Sequence, residues 1–158
     1  STPSIVADNP VLGQLITNDL QYDSRSAFTL SLNHRETYTG ITDRDRALTT
    51  RRFGELAGEV YELSDTEAME ALGKEFRTPG HIPLCRESPG GLSKRQGHTE
   101  LAVAIARLSG NIPCTIGAEM LDPEGDGALS LQEARKYAEE HGIPMITGND
   151  ILESMDMV

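Results

Sequence analysis

Basic residues are scarce in this chain of 158 residues: Lys and Arg number 14 against 25 Asp and Glu, for a formal net charge of -11. An acidic surface repels polyanions, which excludes a broad nucleic-acid interface. Any bound phosphate must therefore be small and held by a local cluster of positive groups. Long apolar runs are also missing, since none approaches the roughly 20 residues of a membrane helix. We expect neither a nucleic-acid nor a membrane partner.

Cysteine is nearly absent as well, with Cys85 and Cys114 as the two examples. They form no CxxC pair, and no histidine stands at zinc-ligand spacing from them. Two cysteines are too few for a disulfide-stapled secreted scaffold, so we interpret them as reduced thiols. The first residues also lack the basic segment and apolar core of a secretory signal. Together these features predict a cytoplasmic protein.

The length predicts one domain over residues 1–158. Strands are predicted at Ala27–Asn33 (with Phe28, Leu30 and Leu32 on the buried side), Ile82–Leu84, Pro113–Leu121 and Ile143–Thr147. Helices are predicted at Thr49–Val60, from the capping box at Ser64 to about Phe76, from Thr99 to Gly110, from the capping box at Ser130 to His141, and after Asn149 or Asp150. The alternation predicts an α/β (α+β) fold, a single domain with a mixed β-sheet flanked by helices.

The densest group of reactive side chains is Lys94–Glu100, at the start of a predicted helix. It holds two cations, a glycine, an imidazole and a hydroxyl. The unpaired N–H groups and positive dipole of a helix N-terminus, together with Arg95, suit a small phosphate. His98 could then bind a metal or move a proton. The alternative is that Thr99 is an N-cap and His98 a solvated loop residue.

Two further residues stand out by their surroundings. His81 follows Pro79 and Gly80 in a turn before a short strand, where a histidine of no special role is the alternative. Glu119 interrupts the apolar run 116–121. A buried carboxylate needs partners or a raised pKa, so its presence there invites a functional reason. A position facing water is the alternative.

A calcium-loop pattern occurs at Asp122–Glu133, with acids at positions 1, 3, 5 and 12 and Gly127 at position 6. An EF-hand requires a helix before this loop, but the preceding residues are β-branched and include a proline. We therefore interpret the segment as a polar turn that leads into the capping box at Ser130.

Several stretches together resemble the 3,4-dihydroxy-2-butanone 4-phosphate synthases of riboflavin biosynthesis. They occur in the family's order, from about Leu12 to Leu152. The matching segments are Ala27–Ser31, Thr39–Thr42, Asp45–Ala47, Pro79–Leu84, Gly90–Leu92, Arg95–Glu100, Ala118–Met120 and Lys136–Gly142.

This resemblance implies a homodimer that converts D-ribulose 5-phosphate into L-3,4-dihydroxy-2-butanone 4-phosphate and formate, with Mg²⁺ or Mn²⁺ as cofactor. It implies that His98 is a metal ligand and that His81 and Glu119 are essential for catalysis. The implied substrate-binding residues are Arg95, Gln96, Gly97, His98, Thr99 and Glu119, with Thr49 as a weaker candidate.

The implied chemistry needs such groups. Enolising a ketose requires a base near the acidic C–H and a cation on the oxygen that gains charge. Two titratable groups in different environments, here His81 and Glu119, suit the later proton transfers. Which of the two is the acid and which the base stays open.

One segment departs from the family pattern. The family's acidic catalytic loop, which carries a carboxylate ligand of the metal, lies in an N-terminal region that this chain lacks. Asp8 is the one acid in Ser1–Val11, and a single imidazole with waters holds Mg²⁺ poorly. The chain is then either an excerpt of a longer protein, which we favour, or a non-catalytic sugar-phosphate-binding or dimerisation module.

Overall fold

The computed structural model describes residues 28–156. Ala27, the first residue of the predicted strand Ala27–Asn33, lies outside them. In chain order the elements are β1 (Phe28–His34), α1 (Asp43–Glu59), α2 (Asp65–Glu75), β2 (Phe76–Cys85), a short 3₁₀ helix (Gly91–Ser93), α3 (His98–Leu108), α4 (Leu131–His141) and α5 (Gly148–Asp156).

The first half of the described chain is built around an antiparallel pair, in which Ser31 of β1 lies opposite Pro83 of β2 and His34 lies opposite Phe76. Helix α1 covers this pair and contributes Leu56 to a small apolar core with Leu32 and Phe76. Of the three β1 residues predicted to face inward, Leu32 is buried, whereas Phe28 and Leu30 are exposed.

The helix boundaries follow local capping. Helix α2 begins after Ser64, whose hydroxyl and Glu67 form the predicted capping box. Helix α1 begins at Asp43, earlier than the predicted Thr49, because the Thr42 side chain accepts a hydrogen bond from the backbone of Asp45. The polar first turn of α1 has no apolar periodicity, which is why the sequence pattern placed its start too late.

A second apolar core joins the 3₁₀ helix to α3 and α5 through Leu92, Ala104 and Ile151. The Thr147 hydroxyl accepts a hydrogen bond from the backbone of Asp150, so Thr147 caps α5 in place of the predicted Asn149 or Asp150. This core fixes the start of α3, where the predicted phosphate site lies.

The α+β class is confirmed, but the sheet differs from the one expected. The described residues contain a two-stranded antiparallel sheet, not a larger mixed one. The predicted strands Pro113–Leu121 and Ile143–Thr147 are irregular, apart from an isolated bridge between Leu121 and Ala128. A strand needs a neighbour to bond its backbone, and between residues 28 and 156 no third strand supplies one.

The acidic segment 122–133 forms a polar turn that leads into the first turn of α4, as predicted. The Asp122 carboxylate accepts a hydrogen bond from the backbone of Glu124, and the Ser130 hydroxyl accepts one from the backbone of Glu133, which begins α4. No helix within residues 28–156 has the length and apolar character needed to cross a bilayer.

Candidate functional site

The predicted phosphate-binding segment lies at the start of α3. The helix begins at His98, with Gly97 at the N-cap position and no side chain capping it. The alternative, that Thr99 is the N-cap, is wrong, because Thr99 lies inside the first turn. No side chain therefore caps the N-terminus of α3, although the acidic Glu100 lies in its first turn.

The Thr99 hydroxyl is unusual. The residue is 8% exposed, and its Oγ1 is buried without a hydrogen-bond partner among the described residues. Buried polar atoms are nearly always bonded, and leaving one unpaired is costly. A hydroxyl of this kind in the first turn of an uncapped helix is suited to an anion that supplies the missing partner.

Arg95 is held beside this helix end by Glu100, whose side chain is fully buried at 0% exposure. The Glu100 carboxylate pairs with the guanidinium of Arg95 and accepts the backbone N–H of Ser88 at 2.9 Å. Burial acts to raise the pKa of Glu100, but these hydrogen bonds outweigh it and hold the pKa below its ordinary value. Glu100 therefore stays ionised and restrains Arg95.

Gly97 is required by the same arrangement. A methyl group on its Cα would lie 2.0 Å from Nη1 of Arg95 and 2.8 Å from a carboxylate oxygen of Glu100. Any larger residue would thus displace the ion pair. Gln96 and His98, on either side of Gly97, are exposed.

His81 lies within β2 and not in a turn before it. Its backbone N–H donates to Oδ1 of Asn33 at 2.9 Å, and its ring Nδ1 lies 3.1 Å from Nδ2 of Asn33. The residue is exposed, so the rest of the ring is open to solvent. A strand position with a side-chain partner gives this imidazole a defined orientation.

Glu119 is exposed and belongs to an irregular segment. The buried strand that was expected to carry it is not formed, so it faces water, which was the alternative. The structure thus gathers Arg95, Gly97 and Thr99 at one helix end, while His81 and Glu119 lie on other elements.

Thr49 is 1% exposed. Its hydroxyl donates to the carbonyl of Asp45 and accepts the backbone N–H of His34, both at 3.0 Å. The side chain ties α1 to β1, and its predicted contact with substrate stays a prediction.

Sequence reasoning missed Asp45 and Asn33, two buried polar residues. The Asp45 carboxylate accepts backbone N–H groups of Gly40, Tyr38 and Thr39, and these bonds, that of Gly40 foremost, lower its pKa. Asn33 contacts His81, as described above. Asp45 opens a segment that resembles the family, and Asn33 ends a predicted strand, but the sequence gives no sign of their hydrogen-bond partners, because these depend on how the chain folds back on itself.

The described residues do not provide a complete magnesium site. No group of three or more His, Cys, Asp or Glu side chains within residues 28–156 converges on one point. Mg²⁺ binds through carboxylate and phosphate oxygens, whereas His98 offers a single exposed imidazole. The possible ligands among the described residues therefore do not by themselves fit Mg²⁺.

Known proteins resemble this chain along most of its length. Residues 6–154 match the family described as 3,4-dihydroxy-2-butanone 4-phosphate synthase. Proteins of that name are 48% identical over 86% of this chain in Archaeoglobus fulgidus and 42% identical over 92% in Methanothermobacter thermautotrophicus. The matches cover 56% and 60% of those two proteins, so the chain spans less than two thirds of their length.

A solved structure gives the same relationship. The 3,4-dihydroxy-2-butanone 4-phosphate synthase of Candida albicans superposes with a TM-score of 0.63 at 33% identity, and the match covers 81% of this chain and 59% of that one. A riboflavin biosynthesis protein, RibBA, of Staphylococcus aureus is 35% identical over 80% of this chain, which is 28% of its own length. The chain therefore belongs to the 3,4-dihydroxy-2-butanone 4-phosphate synthase family.

Proposed function

We propose that this chain takes part in riboflavin biosynthesis as a lyase that converts D-ribulose 5-phosphate into L-3,4-dihydroxy-2-butanone 4-phosphate and formate. Family membership supports the reaction. The observation that carries the substrate class is the buried, unpartnered hydroxyl of Thr99 at the uncapped start of α3. A phosphate ester placed there would receive a hydrogen bond from that hydroxyl and the favourable end of the helix dipole.

Arg95 adds a positive charge on the same side. Because Glu100 already holds the guanidinium, the side chain loses little conformational freedom when it meets the phosphate. The absence of a side chain at Gly97 makes room for the Arg95–Glu100 pair itself. His98 and Gln96 project into solvent at the same turn, where they would contact the sugar carbons or hydroxyls of a bound ligand.

Proton transfers in this proposal fall to His81 and Glu119. The substrate must lose a proton from carbon and later receive protons at oxygen, which requires groups that can hold and release them. Both are exposed, as groups that reach a substrate must be. The proposal retains Mg²⁺ or Mn²⁺ at His98, with carboxylate ligands drawn from outside residues 28–156.

The second candidate is a module that binds the sugar phosphate without turning it over. Two observations favour it: the described residues contain no metal-ligand cluster, and Glu119 lies in an irregular, exposed segment. Under this alternative, binding depends on Arg95 and ignores Mg²⁺.

Formate release separates the two candidates. The full chain is incubated with D-ribulose 5-phosphate and Mg²⁺, formate is measured enzymatically, and binding is followed by calorimetry with and without the metal. Formate that disappears in His98→Ala supports the synthase. Binding without formate, weakened in Arg95→Ala, supports the non-catalytic module. Neither binding nor formate would eliminate both.

The proposal includes a cytoplasmic homodimer. Both cysteines are free thiols, in keeping with a reducing compartment. Large apolar side chains are exposed on the irregular part of the chain, as expected for a surface that a second subunit covers. They are Ile112, Ile116, Met120, Leu121, Ile143 and Ile146. Sedimentation velocity should give twice the monomer mass for the wild type and the monomer mass for Ile116→Asp.

A further inference from the structure

Asn33 is a buried polar residue that touches a proposed catalytic group. It is 3% exposed, near the end of β1. Its side chain bonds across the antiparallel pair to the backbone and the ring of His81 on β2. Within residues 28–156, no other side chain is hydrogen-bonded to that ring. No ion pair with the His81 ring occurs in the same part of the chain.

The orientation of the Asn33 amide is fixed by the backbone. The N–H of His81 must meet an acceptor, so the amide oxygen Oδ1 is the atom at 2.9 Å from it. The amide nitrogen Nδ2 is then the atom 3.1 Å from Nδ1 of the His81 ring. Since Nδ2 is a donor only, a proton on Nδ1 would face another proton across this contact.

An unprotonated Nδ1 removes that conflict by accepting a hydrogen bond from Nδ2. A neutral imidazole with its acceptor at Nδ1 carries its proton at Nε2. Nδ1 also lies 3.3 Å from Oδ1, but that oxygen already accepts the backbone N–H, and the contact to Nδ2 is the shorter one.

Two glycines keep Asn33 in this position. A methyl group at Gly40 would lie 2.0 Å from Nδ2 of Asn33, and the positive φ of +92° at Gly40 itself disfavours a side chain. A methyl group at Gly80, next to His81, would lie 2.3 Å from the backbone nitrogen of Asn33. The amide therefore sits in a close-fitting space that leaves it little freedom to turn.

We propose that Asn33 is a positioning residue that holds His81 as the Nε2–H tautomer, so that the ring offers the substrate a hydrogen-bond donor at Nε2 and not a basic nitrogen. This rests on the proposed function for the role of His81, but the tautomer itself does not. The base that removes the proton from carbon is then a different group, for which Glu119 is the remaining candidate. The role of base, open between His81 and Glu119 at the level of sequence, is thereby removed from His81.

The test is Asn33→Asp in the full chain. The substitution keeps the side-chain shape and the oxygen that accepts the His81 N–H, but it replaces the Nδ2 donor by an acceptor. Nδ1 of His81 should then be protonated. NMR of ¹⁵N-labelled histidine rings, assigned with His81→Gln, reports which ring nitrogen carries the proton. Asn111→Asp is the matched control, because Asn111 is exposed and its side chain donates to the hydroxyl of Ser109, far from His81 in sequence.

The proposal expects an Nε2–H ring in the wild type and in Asn111→Asp, and a protonated Nδ1 in Asn33→Asp. With active enzyme, kcat for formate release should fall about 10-fold or more in Asn33→Asp while KM changes little. An Nδ1–H ring in the wild type, an unchanged ring in Asn33→Asp, or an unchanged kcat would overturn it. Inactive wild-type protein with the expected tautomers would count against the proposed function alone.

Discussion

Residues 28–85 and residues 111–147 differ in how the chain satisfies its polar groups. In the first region the buried side chains of Asn33 and Thr49 are hydrogen-bonded across elements, and that of Asp45 is bonded to the loop before α1. In the second region nearly every residue outside α4 is exposed and irregular. His81 lies in the first region and Glu119 in the second, so one proposed proton-transfer group is held in place and the other is not.

Because of this difference, the two regions contribute differently to the position of the proposed proton-transfer groups. The first region has a core and a network of its own, which set the orientation of His81. The second region presents apolar side chains to solvent and lacks a strand partner within residues 28–156.

Truncation of the first core should have the largest effect on stability. Phe76→Ala removes a ring that packs on Leu32, Leu56 and Phe53, and should lower the free energy of unfolding by about 3–4 kcal/mol. Leu131→Ala in the second region, where the side chain is exposed, should change it by less than about 0.5 kcal/mol. Urea unfolding measures both, and equal losses would erase the distinction between the regions.

Loss of the Glu100 carboxylate should have the next largest effect. Glu100→Gln removes the buried negative charge that pairs with the guanidinium of Arg95. The loss should lower the free energy of unfolding by about 1.5–3 kcal/mol. Glu55→Gln is the control, since Glu55 is exposed although it also pairs with an arginine, Arg52, and surface pairs contribute little. A smaller loss for Glu100→Gln than for Glu55→Gln would contradict the account.

The pH dependence of stability gives the same residue a second test. The pKa of Glu100 lies below its ordinary 4.5 in the folded chain. Its contribution is therefore fully present above about pH 4.5, where the unfolded form is also ionised, and is lost as pH falls through the lower folded pKa. The stability difference between wild type and Glu100→Gln should shrink on acidification below pH 4.5. A difference that stays constant, or grows, would refute this.

A helix cap in the first region should have the smallest effect. Ser64→Ala removes both hydroxyl bonds of the capping box before α2 and should cost about 1 kcal/mol. Ser130→Ala before α4 should cost less of the global free energy, because α2 packs Ala71 and Leu72 against the first apolar core. Urea titration of the two variants compares them, and a larger effect at Ser130 would reverse the ranking of the regions.

Sequence patterns identified the elements that depend on neighbouring residues. The Ser64–Glu67 capping box and the alternation over β1 depend on side chains a few positions apart, and both elements form. The start of α3 also falls within a residue of its prediction. The family was recognised because short segments occur in order, which requires no knowledge of the folded shape.

Features set by distant residues could not be predicted in this way. The segment 113–121 has the apolar content of a buried strand, but a strand forms only where a partner edge exists. The bonds between Asn33 and His81 span 48 positions and follow from the register of β1 on β2. The burial of Thr99 depends on packing around α3, so its unpaired hydroxyl has no signature in the sequence.

The central claim is that the start of α3 binds the phosphate of a sugar phosphate, and calorimetry of D-ribulose 5-phosphate with Thr99→Val tests it most directly. Valine keeps the shape of threonine but removes the hydroxyl that lacks a partner. The account predicts binding about 10-fold weaker or more than in the wild type, with the fold unchanged by circular dichroism. Equal affinity of the two proteins for D-ribulose 5-phosphate would contradict it.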